Sequence, residues 1–404
     1  MIKNKTIICI SHTTWEGEYT KSTVQLLSLL ARYNQVIFIE YPRTFKDLIF
    51  GILGKVKVPV RQMLGFSSRI TTKETSCNTS VQHVVLPPML PVDFLKNNTI
   101  QKLFLRYNFW VYKKMLTRVA ATKDPNEILV LTAYNPRYGL GLLHVLNEFL
   151  HVYYCYDGMD ETTHHISTIK AEKTFCERVD AIITTSDYLK VCKGQWNANT
   201  YVVKNGVDMQ IFSKAKIDTK TNSNDKQIIG YVGTLDFRFD VALVAYAATV
   251  LQDVIFEFTG HVSNPNIIKA LSGFDNIHFR KAIPAASVPN YMSRFALGII
   301  PYLQLEVNKN IYPLKINEYL AMGLPVVMTD FATLPEFENH VMVSQTKEQF
   351  VCQLQIQLKA NSSEAISRRI AFASKNSWEE RTKLFGSILQ QLWKEKQTLQ
   401  ILKL

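Results

Sequence analysis

Residues 311–329 read IYPLKINEYLAMGLPVVMT. The pattern predicts a short helix that begins at Pro313, stops at Gly323 and runs at once into the apolar strand PVVMT (325–329). Proline suits the first helical position, where its missing N–H costs nothing. Gly323 supplies the stop, and Pro325 blocks any continuation. A helix feeding straight into a buried strand is the unit from which α/β domains are wound. The helix carries Lys315 near its start and Glu318 one turn later, and two readings of that pair stand open. Residues three apart are neighbours on a helix surface, so the two could form an exposed ion pair. Alternatively, the free N–H groups of Leu314 and Lys315, with the helix dipole, make a seat for an anion. Glu318 then lies five residues past Pro313, or roughly 7.5 Å along the axis. That is about the separation of a diphosphate from the ribose of its nucleotide. A carboxylate there can accept hydrogen bonds from two vicinal hydroxyls.

The same alternation extends in both directions. TIICIS (6–11), a helical pattern at 21–33 and QVIFIEYP (35–42) form a strand–helix–strand unit at the start of the chain. Apolar strands follow at 83–87, 127–134, 151–157, 181–186 and 200–208. The polar run SKAKIDTKTNSNDKQ (213–227) interrupts them and reads as a junction. Strands restart at 228–233, 255–260, 277–280, 297–302 and 325–329, with helices near 240–250, 264–272 and 287–295 between them. A long helical pattern closes the chain. Two doubly wound α/β domains in tandem follow, with ligands expected at the carboxyl ends of strands and in the cleft between domains.

Composition limits what the chain can be. With 404 residues, 47% hydrophobic and 20% charged, it is a folded protein of about two domains. The net charge of +12 favours an anionic partner: a nucleotide, an acidic lipid, a polyanionic glycan or a nucleic acid. Residues 1–200 hold 24 Lys/Arg against 16 Asp/Glu, so the excess leans to the N-terminal half. Six scattered cysteines form no C-x-x-C, which suits a reducing compartment. No apolar run of 18 residues appears and the N-terminus lacks the pattern of a signal peptide. The expected location is the cytoplasm, with contact to the inner face of the cell membrane.

YPLKINEYLAMGLPVV (312–327) resembles the donor-site signature of GT-B glycosyltransferases of the family 4 (group 1) type, P-x-K-x-x-E-x-x-A-x-G-x-P-V-V. IIGYVGTLDFRFD (228–240) resembles the first strand and Gly-rich turn of that family's C-terminal domain. YVVKNGVDMQIF (201–212) and ITTSDYLK (183–190) resemble the segments leading into it. The resemblance covers roughly residues 150–385. WEGEY (15–19) and YCYD (154–157) resemble a bacterial cell-surface polysaccharide branch, such as the teichuronic-acid transferases. The implied fold is GT-B: two Rossmann-like doubly wound domains facing a central cleft. The expected divisions are 1–207 for acceptor binding, 208–380 for the nucleotide sugar, and a helix at 381–404 crossing back to the first domain.

The resemblance also implies roles. Glu318 matches the second glutamate of the family's Glu-x7-Glu motif, which holds the donor ribose. The first would fall at Asn310, which can hydrogen-bond a sugar hydroxyl but brings no charge, and so is expected to mark donor choice. Leu314 and Lys315 match the helix start that holds the diphosphate, and Tyr312 is expected among the donor-binding residues. Gly233 and Thr234 allow backbone approach to phosphate. Arg238 is the cation expected there, although pairing with Asp236 or Asp240 competes. Ile283 sits where backbone groups meet the base. Arg238 and Lys315 would stabilise charge on the leaving nucleoside diphosphate. No DxD-type motif stands out, so neither a metal nor another cofactor is expected.

In the N-terminal domain Asp157 matches a His-Asp position and could act as general base; a plain Asp157-Gly158 turn is the alternative. His12, Trp15, Tyr19 and Asp160 are the candidate acceptor contacts, with core packing equally open for Trp15 and Tyr19. His164 and His165 read as solvated surface. Residues 43–73 hold seven Lys/Arg and one Asp among Phe, Leu, Ile and Met. With the basic-aromatic 94–119, they suit an anionic membrane surface, or else two amphipathic helices packed on the domain.

The expected activity is transfer of a sugar from a nucleoside-diphosphate donor, a UDP-sugar foremost. The acceptor is a hydroxyl of a glycan or lipid-linked molecule in cell-envelope polysaccharide synthesis. A nucleotide-sugar epimerase on the same architecture is the alternative, though it would need no basic-apolar acceptor surface. A nucleic-acid-binding protein is the remaining one, and the sharpest motif argues against it.

Overall fold

TIICIS is buried at every position, which a strand achieves only when both faces of its sheet are covered. The computed structural model describes residues 1–17, 21–95, 98–160, 164–213, 226–359 and 362–402, apart from the side chains of Asn98 and Asn310. Two compact units result, one from Met1–Gly17, Lys21–Lys204 and the chain from Thr382 onward, the other from Asn205–Arg381.

The first unit is built on β1 (Thr6–Ser11), β2 (Gln35–Ile39), β3 (Ile70–Glu74), β4 (Ser80–Val84), β5 (Ile128–Ala133), β6 (Leu150–Cys155), β7 (Ala181–Thr184) and β8 (Thr200–Val202). They lie in one sheet ordered β3-β4-β2-β1-β5-β6-β7-β8. Pairing is parallel except for the antiparallel edge strand β3. The long helix Asn98–Ala120 covers one face through Val111, Tyr112, Met115 and Leu116. The segment 43–73 becomes two short helices, Phe45–Ile52 and Val60–Leu64, and then leads into β3. β3 is a strand that the amphipathic-helix reading did not contain.

The second unit is a six-stranded parallel sheet. Its strands are β9 (Ile228–Val232), β10 (Ile255–Thr259), β11 (Ile277–Arg280), β12 (Leu297–Ile300), β13 (Val326–Thr329) and β14 (Met342–Ser344). The order β11-β10-β9-β12-β13-β14 is the doubly wound order of a dinucleotide-binding fold, reversing between β9 and β12. Helix Leu314–Ala321 buries Ile316, Tyr319 and Leu320 in that unit's core and leads to β13, as the opening stretch predicts. Its start is one residue later than expected: Pro313 is extended (φ −69°, ψ 120°) and serves as N-cap.

The chain leaves the first unit at Lys204, ahead of the polar stretch 213–227 read as the junction. The reason lies in Asn205 and Val207. The Asn205 amide donates to the Tyr312 carbonyl at 3.0 Å, and Val207 exchanges backbone hydrogen bonds with Asn376 and Trp378. The final helical pattern is two helices, Ser363–Lys375 and Trp378–Ile401, and from Thr382 onward the chain belongs to the first unit. Residues 214–225 lie outside the described residues.

Candidate functional site

Where the winding direction reverses, the connections after β9 and β12 depart to opposite faces and leave a crevice at the strand ends. The candidate residues of the second unit gather there from three segments: the turn after β9, the chain after β12 and helix Leu314–Ala321. Two glycines make the turn possible. Gly233 and Gly260 both have φ of +153°, a conformation that side chains disfavour. A Cβ on Gly233 would stand 2.9 Å from Lys315 Nζ, and one on Gly260 would stand 2.0 Å from the Gly233 carbonyl oxygen. Gly260 therefore lets the neighbouring strand end pass beneath Gly233, and Gly233 keeps the way to Lys315 clear.

Lys315 is held by two tyrosines. Its Nζ donates to Tyr302 Oη at 2.6 Å and to Tyr231 Oη at 3.4 Å, and lies 4.7 and 5.0 Å from the Tyr231 and Tyr302 ring centres. Tyr231 Oη in turn donates to the Thr234 carbonyl at 2.8 Å, tying the Gly-rich turn to the lysine. Arg238 stacks over the Tyr302 ring at 5.5 Å. Burial by itself would raise the Tyr302 phenol, but the Lys315 and Arg238 charges overcome it and hold the group below the ordinary phenol range. Tyr231 is pushed well up, chiefly by burial.

Arg238 is not an unengaged cation. Its Nε donates to both Asp236 carboxylate oxygens, at 2.9 and 3.1 Å, and Nη2 donates to Oδ2 as well. Burial alone would lower its pKa, yet the Asp236 hydrogen bonds raise it further above the ordinary value. The competing pair foreseen for Arg238 thus forms, with Asp236 rather than Asp240. Asp240 caps the helix Val241–Val250 instead.

Glu318 answers the question posed by the opening stretch. Among the described residues its carboxylate has no hydrogen-bond or ion-pair partner, and Lys315 is turned to the tyrosines instead. Burial raises the Glu318 pKa to about 7, and the opposing pull of Lys315 is the smaller effect. The residue as a whole is half-buried. An ion pair on a solvated face is excluded.

Thr234 and Leu314 are half-buried, and Ile283 is half-buried in the loop after β11. The Tyr312 side chain is committed to the core. It is 3% exposed, its ring packs on Phe337 at 5.5 Å, and its hydroxyl accepts from Asn317 at 3.4 Å. Its carbonyl is taken by the Asn205 amide. Asn310 ends the 3-10 turn Glu306–Asn310; its side chain lies outside the described residues. Sequence reasoning missed Tyr231 and Tyr302, and also buried Glu257. That carboxylate takes hydrogen bonds from Tyr291 and Arg294 at 2.6 Å and from Arg280 at 3.3 Å. Arg280 ends β11, three residues before Ile283, so this network fixes the base of the Ile283 loop.

In the first unit a second group gathers at the strand ends. The His12 ring meets Tyr41 and Tyr134 edge-on at 5.4 and 5.7 Å. Crowding, then the nearby His164, lower the His12 pKa although part of the residue is exposed. Tyr134 is strained, with φ of +51°, and its hydroxyl donates to the Gly158 carbonyl at 2.7 Å. Asp157 Oδ1 accepts the Gly158 N–H at 2.8 Å, where the backbone bends after β6. His164 is not free surface: its ring packs on Tyr134 at 5.7 Å. His165 is exposed and caps helix Ile166–Arg178. Asp160 is half-buried and its carbonyl accepts the His164 N–H at 2.9 Å. Trp15 packs on Phe38 at 5.0 Å, the core reading of that residue. Tyr19 lies outside the described residues.

Residues 226–359 match the family of group 1 glycosyl transferases. That match lies within the second unit. A sequence relative is TuaH of Bacillus subtilis (strain 168), a protein assigned to teichuronic acid biosynthesis as a glycosyltransferase. The two are 28% identical over 180 residues, 42% of this chain and only 45% of that one. Among solved structures, sucrose-phosphate synthase from Thermosynechococcus elongatus superposes with a TM-score of 0.68 at 15% identity, covering 97% of this chain and 100% of that one. A UDP-forming trehalose-phosphate synthase from Burkholderia vietnamiensis gives 0.68 at 10%, covering 98% and 100%. Anabaena HepE, solved with UDP, gives 0.64 at 12%, covering 96% and 100%. These likenesses establish the GT-B fold.

Proposed function

We propose that the chain is a glycosyltransferase that moves a sugar from a nucleoside-diphosphate donor, a UDP-sugar foremost, to a hydroxyl of a glycan or lipid-linked acceptor in cell-envelope polysaccharide synthesis. The observation that carries this reading is the separation of Lys315 from Glu318. One is held over Gly233 by hydroxyls that a phosphate oxygen can replace. The other offers an unpartnered carboxylate one turn along the same helix. Lys315, Arg238 and the N–H groups of Leu314 and Lys315 would take the diphosphate. Glu318 would accept from the two ribose hydroxyls, and Asn310 and the Ile283 backbone would contact sugar and base.

In the reaction the bond between the sugar's anomeric carbon and the diphosphate oxygen breaks, and its electron pair leaves with the nucleoside diphosphate. The acceptor oxygen bonds to that carbon, and its proton passes to Asp157 as general base. Lys315 and Arg238 stabilise the charge gained by the leaving group. His12, Trp15, Tyr19 and Asp160 remain the candidate acceptor contacts, with Trp15 acting through its exposed edge. Support for the donor comes from HepE, solved with UDP and with UDP and glucose. Support for the setting comes from TuaH. The acceptor is met at an anionic membrane surface, through residues 43–73 and 94–119, in a cytoplasmic protein with no nucleic-acid partner. Neither a metal nor another cofactor is needed, so transfer is expected to persist in EDTA.

A thermal-shift and hydrolysis screen against UDP-, GDP-, ADP- and dTDP-sugars tests the reading. A UDP-sugar should raise the melting temperature and be slowly hydrolysed; no response to any nucleotide would sink it. Glu318→Ala should weaken UDP binding at least tenfold, about 1.4 kcal/mol or more. Asp157→Ala should lower transfer and leave UDP binding intact. Equal losses of binding in both would remove the division of roles.

A further inference from the structure

Between β2 and β3 the first unit displays apolar side chains that its own core does not use. Helix Phe45–Ile52 begins with a full capping box, Thr44 and Asp47 each hydrogen-bonding the other's backbone. Only Leu48 of that helix is buried, joining Met63 and Val85 with Val58 and Val60 alongside. The opposite side of the segment is apolar and bare. Phe45, Ile49, Ile52, Leu53 and Val56 are all exposed, Ile52 and Leu53 at 62% and 60%. The spacing of Phe45, Ile49, Ile52 and Leu53 puts them on one face of the helix and its C-cap, and Val56 follows in the bend after it. Phe66, just past the second helix, is 74% exposed.

Charge distinguishes this face from an ordinary interface between folded proteins, whose core is depleted of charge. Lys46, Lys55, Lys57 and Arg61 surround it, all exposed and none in an ion pair among the described residues. The one acid within it, Asp47, is committed to capping Thr44. A large apolar face ringed by unneutralised cations matches the boundary between headgroups and acyl chains of an anionic bilayer. Position gives the match a purpose. The helix starts four residues after Tyr41, whose ring touches His12 at the strand ends of the same unit.

We propose that Phe45–Phe66 is an interfacial wedge that seats the first unit on anionic lipid, with Ile52, Leu53 and Phe66 entering the acyl boundary and Lys46, Lys55, Lys57 and Arg61 meeting phosphate headgroups. This rests on the reading that the acceptor is lipid-linked, since the wedge then delivers the acceptor beside His12 and Tyr134.

Vesicle flotation of the full chain tests it, with phosphatidylcholine vesicles against vesicles containing phosphatidylglycerol. Binding to the anionic vesicles should be at least tenfold tighter and fall steeply with salt. Ile52→Ser with Leu53→Ser should lower that binding about tenfold, and Lys55→Glu with Lys57→Glu by a similar factor. Both pairs lie on exposed positions, so the melting temperature should hold, and UDP affinity, read separately, should not move. Unchanged vesicle binding in both double variants would overturn the wedge, as would equal binding to the two lipids. A concentration-dependent dimer in light scattering, abolished by the Ile52/Leu53 pair, would assign the face to a second copy instead. Loss of UDP binding by the unmodified chain would overturn the transferase reading and leave the vesicle result standing by itself.

Discussion

At the residue scale Glu318 should write its environment into the pH dependence of stability. Its carboxyl ionises with a pKa of about 7 in the folded chain, raised by burial from the ordinary carboxylate value of 4.5. The folded state therefore holds the proton more tightly than the unfolded state. Its contribution is full below the unfolded pKa and is lost as pH climbs through the folded one. Glu318→Gln should have little effect on stability at pH 4 and be stabilising at pH 8, by about 2–3 kcal/mol in urea titrations. UDP affinity should fall in the variant above about pH 7, where the unmodified carboxyl is ionised. In the unmodified chain it should decline as pH drops below about 7, because the ribose hydroxyls need the ionised acceptor. A second residue prediction concerns Tyr302. Removing its hydroxyl in Tyr302→Phe keeps the ring under Arg238 but frees Lys315, and calorimetry should show UDP bound about 1–2 kcal/mol more weakly. The sequence made Lys315 and Glu318 visible because their spacing is chemically unusual on a core helix. Tyr231 and Tyr302 were illegible for the opposite reason. Aromatic residues at strand ends read as core, and both are indeed buried; only their shared place at the two switch strands gives them a further task.

At the element scale the second sheet depends on the close approach of two turns. Gly260→Ala would drive a methyl into the Gly233 carbonyl, so the β9 and β10 ends must separate. The loss should be about 1–3 kcal/mol of the second unit's stability, with UDP binding weakened in parallel. A denaturation midpoint and a UDP titration on the same sample check both. Elements were legible where burial was uniform: β1, β5, β6 and β12 read directly as apolar runs. β3 was not, since ITTKE lies at a half-exposed edge and its antiparallel partner is supplied by the chain ten residues on. The break at Asn376 and Ser377 was hidden too. Helical periodicity continues across it, and the backbone pairing with Val207 that interrupts it is long-range.

At the scale of the whole molecule the restart of strand–helix alternation after the polar run made two wound units readable. The crossing point was displaced because Asn205 and Val207 bind their partners before the polar run begins. The end of the chain carries a matching consequence. Phe385, Leu389 and Trp393 of the last helix are buried, and the Trp393 ring lies 4.3 Å from Phe149. Trp393→Ala should cost the first unit about 3–5 kcal/mol. Because two units need not unfold together, the urea profile should split, with UDP protection surviving past the first transition. A single transition with both properties lost at once would contradict this.

The tyrosine pair around Lys315 has a consequence for the thermodynamics of capture. Fixing a free lysine side chain forfeits up to about 2 kcal/mol of rotamer entropy. Here folding has already fixed it, so an arriving diphosphate meets an ammonium group whose freedom is spent. Binding to such a preorganised cation should show a smaller unfavourable entropy than binding to the Tyr302→Phe variant. The two hydroxyls thus act as a placeholder for phosphate oxygens, keeping the empty site in the shape of the occupied one.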